Sequence, residues 1–125
     1  MSSIELLIKF KNLLLSFTDE LIERFPNEAD FLVMRIFIDT QIPIKTIIDN
    51  FIEQLKKDNM KLRGIITNRN DSFFINEKPF SFMSDERNNK LGTLWLSGVL
   101  DDEDKGVLWS WVDSFVKLSD RYAKL

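Results

Sequence analysis

The most concentrated chemical potential in the chain is a run of consecutive acidic residues, Asp101-Asp102-Glu103-Asp104. Such carboxylates could supply oxygen ligands to a hard cation, or act as general acid and base. Adjacent side chains on a helix point in different directions, however, so they cannot all converge on one ion. The same residues suit a helix start. Asp101 would be the N-cap and the other acids would fill the first turn, where the helix dipole favours negative charge by roughly 0.3–1 kcal/mol each. A second stretch, Asn68-Arg69-Asn70-Asp71-Ser72 with Glu77, has the look of a calcium loop. It lacks the essentials: Phe73 stands where the sharp turn needs Gly, and Pro79 stands where the closing acid belongs. Ser114 with Lys117, and Ser119 with Lys124, have the spacing of ordinary helix-surface neighbours and not of a nucleophile with a desolvated base.

The 125 residues include no His and no Cys. Thiolate and imidazole metal sites, Ser-His and Cys-His relays and disulfides are thereby excluded. The glycines at 64, 92, 98 and 106 are scattered, so no phosphate-cradling loop exists. The chain is expected not to be an enzyme, to hold no metal or cofactor and to take no small-molecule substrate. With 20 acidic and 17 basic side chains the net charge is −3, which disfavours binding to nucleic acid. The densest basic stretch, Lys56, Lys57, Lys61 and Arg63, is interrupted by Asp58 and reads as a solvated helix end.

What remains is apolar surface. The chain has 11 Phe, 3 Trp and 1 Tyr, rings that dominate cores and contact surfaces alike. Phe73, Phe74, Phe80, Phe82 and Met83 lie in a Pro-interrupted segment outside any regular amphipathic pattern, and with Trp95 they are the candidate anchors for a protein partner. The alternative is that these rings fold back and plug the core. Trp109 invites the same choice between core and contact.

The elements that would position these residues are helical. Residues 2–25 form the first helix, with capping-box spacing at Ser2 and Glu5 and a seam of Leu7, Phe10, Leu14, Phe17 and Leu21. Pro26 breaks it, and Asn27 would cap a second helix reaching about Thr40. Pro43 opens a third, with apolar positions from Ile44 to Leu55. From about 59 to 89 the pattern loosens into an irregular segment. A short helix followed by a packed loop is favoured there over a small hairpin pairing 65–67 with 72–75. A short helix at 91–100, ending near Gly98, precedes the last helix, whose seam is Leu108, Trp111, Val112, Phe115, Leu118 and Tyr122, widened by Trp109 and Val116. The expected fold is a single all-α domain spanning 1–125, with four main helices and one short one around an aromatic core. The amino terminus lacks the pattern of a signal peptide, and there is no apolar run of about 18 residues, so no transmembrane segment and an intracellular location are expected.

Leu21-Ile22-Glu23-Arg24-Phe25-Pro26, Asn70-Asp71-Ser72-Phe73-Phe74 and Leu94-Trp95 occur in that order. After a short spacer, Asp101-Asp102-Glu103-Asp104-Lys105 and Leu108-Trp109-Ser110-Trp111 follow. In this order of motifs the chain, from about 16 to 115, resembles small uncharacterised helical proteins of large nucleocytoplasmic DNA viruses of the phycodnavirus and mimivirus kind. Gly106 departs from what a helix in that group would carry. The resemblance implies a viral origin, a helical fold and a place in the host cytoplasm, the virus factory or the virion, and it supplies no catalytic residues. The function expected is a non-enzymatic protein-interaction module, with a minor virion or capsid-associated component, or self-association, as the alternative.

Overall fold

The structure, a computed structural model, describes residues 2–77 and 85–125, although the side chains of Asp85, Arg87 and Asn88 are not among those described. Among the described residues six α-helices follow one another: α1 (Ser3–Arg24), α2 (Ala29–Ile36), α3 (Ile44–Thr67), α4 (Ser72–Ile75), α5 (Asp85–Leu96) and α6 (Asp102–Ala123). No strand occurs among the described residues, and both arms of the alternative hairpin are helical. None of their helices is long and apolar enough to cross a membrane.

Helix α1 begins where Ser2 Oγ accepts a hydrogen bond from the Glu5 amide at 3.1 Å, so the capping residue is the one the sequence indicates. Its buried seam is Leu6, Phe10, Leu14, Phe17 and Leu21, with Leu7 only half-buried. The first contact is therefore made one position earlier than the alternating spacing suggests. Helix α2 has Glu28, not Asn27, at its N-cap position, without a side-chain capping bond, and continues into a wider turn over Phe37–Gln41, closed by the Ile42 amide donating to Phe37 O. The turn keeps Ile38 in the core and leaves the Asp39 carbonyl free to accept from Lys11 Nζ at 3.0 Å.

Helix α3 runs past Leu55, the last of its expected apolar positions, and into the segment expected to be irregular, but not straight. Asp58, Asn59 and Met60 hold φ of 52°, 60° and 68° in succession. Left-handed geometry costs a non-glycine residue about 1–2 kcal/mol, least for Asp and Asn, whose short side chains can hydrogen-bond locally. The bend redirects residues 61–67 so that Leu62 and Ile66 enter the core, while the Arg63 guanidinium grips Asp120 of α6 through two hydrogen bonds at 2.7 and 3.1 Å.

Helices α1 and α6 run antiparallel at the centre. Arg24 pairs with Asp104 at one end, and the Phe17 ring meets Phe115 edge-on at 5.4 Å. Phe10 touches both Phe51 of α3 and Phe115, tying three helices into one aromatic core. Helix α5 is longer than the expected short helix and ends before Gly98, whose φ of +84° turns the chain into α6 without a Cβ clash.

Candidate functional site

Two of the four helices around α6 decide which aromatic side chains are free. Helix α4 is a single turn that presses Phe73 and Phe74 onto α5 and α6. The two rings meet edge-on at 4.9 Å, Phe74 stacks on Trp95 at 4.1 Å with 15° between planes, and both contact Trp109. The close approach depends on Gly92, since a Cβ there would sit 2.5 Å from the Phe74 carbonyl oxygen. The Lys105 ammonium and the Arg69 guanidinium lie over the rings of Trp95 and Trp109 at 5.2 and 5.3 Å. Phe73, Phe74, Trp95 and Trp109 are 3%, 5%, 2% and 6% exposed, so these side chains form a plug on the core and offer a partner almost no surface in this conformation. Phe80, Phe82 and Met83 lie outside the described residues. Trp95 Nε1 is buried there without a hydrogen-bond partner.

The acidic run is engaged in building the start of α6. Asp101 accepts from the Asp104 amide at 2.8 Å, and the Asp104 carboxylate accepts in return from the Asp101 amide at 3.2 Å, a complete capping box. The Asp104 carboxylate also pairs with Arg24, which Glu20 holds from its other side. The backbone hydrogen bond from Asp101 and the adjacent guanidinium hold Asp104 below the usual carboxylate range. Among the described residues no group of three or more acidic side chains is gathered as a cation cradle. The serines beside lysines show no nucleophile geometry: Ser114 Oγ donates to Ser110 O, and Ser119 is fully buried.

Concave regions remain open among the described residues. One, of about 500 Å³, lies between the α1–α2 turn and the α5–α6 turn, lined by Arg24, Phe25, Pro26, Asn27, Glu28, Leu94, Val99, Leu100 and Asp104. Its charges are spoken for. Arg24 is shared by Glu20 and Asp104, and Glu28 pairs with Lys90 at 3.0 Å. Another, of about 390 Å³, is a groove along α1 and α6 lined by Lys9, Asn12, Leu13, Ser16, Trp111 and Leu118. Trp111 rests on Phe17 at 6.0 Å and is only half-buried, flanked by half-buried Leu13 and Leu118. A partly open tryptophan with aliphatic neighbours and a polar rim is the arrangement of an interface anchor.

The sequence places Trp111 in the buried seam and leaves Trp109 between core and contact, with core favoured; the structure buries Trp109 and leaves Trp111 half-buried. The signal that could have separated them is weak. Leu108, Val112, Phe115 and Ser119 follow three- and four-residue steps, which puts Trp111 on the flank of the stripe. No family model, curated protein or solved structure matches this chain.

Proposed function

We propose that this chain is a non-enzymatic protein-interaction module, viral in origin, that docks a protein along the α1–α6 groove with Trp111 as its anchor. The observation that carries the reading is the half-buried Trp111 between Leu13 and Leu118 in an open groove rimmed by Lys9, Asn12 and Ser16. The viral origin rests on the order of motifs from Leu21 to Trp111. Arginines 24, 35, 63 and 69 are each held by a carboxylate, and together with the net charge of −3 this supports a protein partner over nucleic acid.

The test is affinity purification from infected cells with wild type and Trp111→Ala in parallel. Proteins captured by the wild type and lost by a folded variant support the reading. Identical sets from both would remove the groove from it. A structural role in the particle is a second reading, favoured by the exposed pairs Ile4 with Ile8 on α1 and Leu32 with Ile36 on α2. Apolar residues repeated at this spacing outside the core suit contacts between subunits. Mass spectrometry of purified virions decides it, since absence from the particle excludes this role.

A further inference from the structure

The groove carries a charge pattern that selects its occupant, an inference that rests on the docking reading above. Because α1 and α6 are antiparallel, the start of α1 lies beside the end of α6. Along their outward side the middle is uncharged, with Leu13, Ser16, Trp111 and Ser114. Lys9, Lys117 and Arg121 stand at one end, reached from the groove residues by helical steps of three and four. Glu20, Glu23 and Glu103 stand at the other. Lys9, Lys117, Arg121, Glu23 and Glu103 are exposed, and none forms an ion pair with a described residue. The opposing charges do not cancel the pattern. Arg24 is shared between Glu20 and Asp104, so the acidic end stays negative. At the basic end the Glu5 carboxylate accepts from the Ser2 hydroxyl, and Asp113, which Lys117 also attracts, is held by Arg69.

A face that is basic at one end, acidic at the other and apolar between is complementary to itself when reversed. We infer that the groove is occupied by a second copy of this chain, related by a two-fold axis that lies in the contact plane and crosses α1 and α6 at right angles. That axis reverses the helix direction and lays α1 on α1 and α6 on α6, so Lys117 and Arg121 of each copy face Glu103 of the other, Lys9 faces Glu23, and each favourable contact occurs twice. A two-fold axis parallel to the helices would set like charge against like. Trp111 sits between Glu103 and Arg121, near the middle of the face, so its ring lies close to the axis and meets its own symmetry mate. The centre of a contact is where a single aromatic anchor has most effect.

The experiment uses two charge-reversed forms of the full chain, Lys117→Glu with Arg121→Glu, and Glu23→Lys with Glu103→Lys. Sedimentation velocity should show the wild type as a dimer at about 100 μM and below, weakening as salt is raised. Each double variant alone should associate at least about tenfold more weakly, and an equimolar mixture of the two should regain the wild-type dimer. Regain in the mixture also shows that both variants are folded; should either melt early, Lys9→Glu mixed with Glu23→Lys repeats the test at single positions. A monomeric wild type, a variant that dimerises as the wild type does, or a mixture of folded variants that stays monomeric overturns the inference. If the wild type is monomeric yet still captures a protein through Trp111, only the identity of the occupant fails. If it is monomeric and Trp111→Ala changes nothing in the captured set, the docking reading fails with it.

Discussion

Trp109 and Trp111 are close neighbours on α6 and have opposite surroundings. Trp109 is enclosed by Phe73, Phe74 and Trp95 with a guanidinium over its face, whereas Trp111 has Phe17 beneath it and an open groove beside it. Residue type and helix propensity are the same for both. What differs is azimuth: two positions on a helix are more than half a turn apart, so one ring points towards α4 and α5 and the other towards α1 and solvent. The comparison separates a part of the molecule whose aromatic rings hold the fold from a part whose ring is available for contact. Exposure of a ring is thus decided by which helices lie against its side of α6.

The largest expected effect tests the separation directly. Trp109→Ala should destabilise by about 3–5 kcal/mol, the range for emptying a buried aromatic site, while Trp111→Ala should cost only about 1–2 kcal/mol and act on association. Chemical denaturation of both variants measures this; equal losses would erase the distinction. The next effect concerns how tightly the plug is seated. Gly92→Ala places a Cβ against the backbone oxygen of Phe74, which cannot rotate away, so α4 and α5 must part. A loss of about 1–3 kcal/mol is expected, with the near-ultraviolet circular dichroism of the tryptophans reduced.

The starts of the first and last helices were legible because capping is local chemistry. Ser2 is read from its spacing to Glu5, and Asp101 from its place before an acidic first turn, and both caps form, whereas the cap expected at Asn27 does not. The aromatic core was legible from periodicity, down to Phe10, Phe17 and Phe115. The bend in α3 was not. Three successive left-handed residues without a glycine carry no sequence signal, and docking of Leu62, Arg63 and Ile66 is what maintains them. The candidate anchor was illegible for a related reason. Periodicity marks a stripe of α6 as apolar but cannot say where the covering helices stop, and α4, a single turn inside the irregular segment, is what buries Trp109.

A smaller effect probes the hinge point of both regions, the start of α6. Asp101→Ala removes the acceptor for the Asp104 amide and should cost on the order of 1 kcal/mol. It should leave the Trp111-dependent association intact, because the groove lies further along the helix. Thermal melting with and without added calcium, magnesium or zinc accompanies it. A metal-dependent rise in Tm would show that the carboxylates do more than cap, since a ligand of the folded state raises Tm by mass action.

The smallest effect distinguishes the two tryptophans by acid. Arg69 donates to both carboxylate oxygens of Asp113 at 2.8 and 2.6 Å while its guanidinium lies over Trp109. Those hydrogen bonds hold the Asp113 carboxyl below its ordinary value, against the opposing pull of partial desolvation. A carboxyl whose folded-state pKa is depressed contributes stability that is present above the unfolded pKa, near 3.9, and is lost as pH falls through the folded value. The window therefore lies below about pH 4. Both side chains are 40% or more exposed, so solvent and salt screen the pair and its contribution is under about 1 kcal/mol. The optical consequence is more specific than the energetic one. In a Trp111→Phe background, which leaves the enclosed tryptophans as reporters, protonating Asp113 should release Arg69 from Trp109 and change the fluorescence before the chain unfolds, and Asp113→Asn should already show that change at neutral pH. A Trp109→Phe, Trp95→Phe background should show no such step, because none of the residues lining the groove around Trp111 carries a carboxyl group. If both backgrounds titrate together, the acid response is global and the cation above Trp109 has no separate hold on the enclosed region.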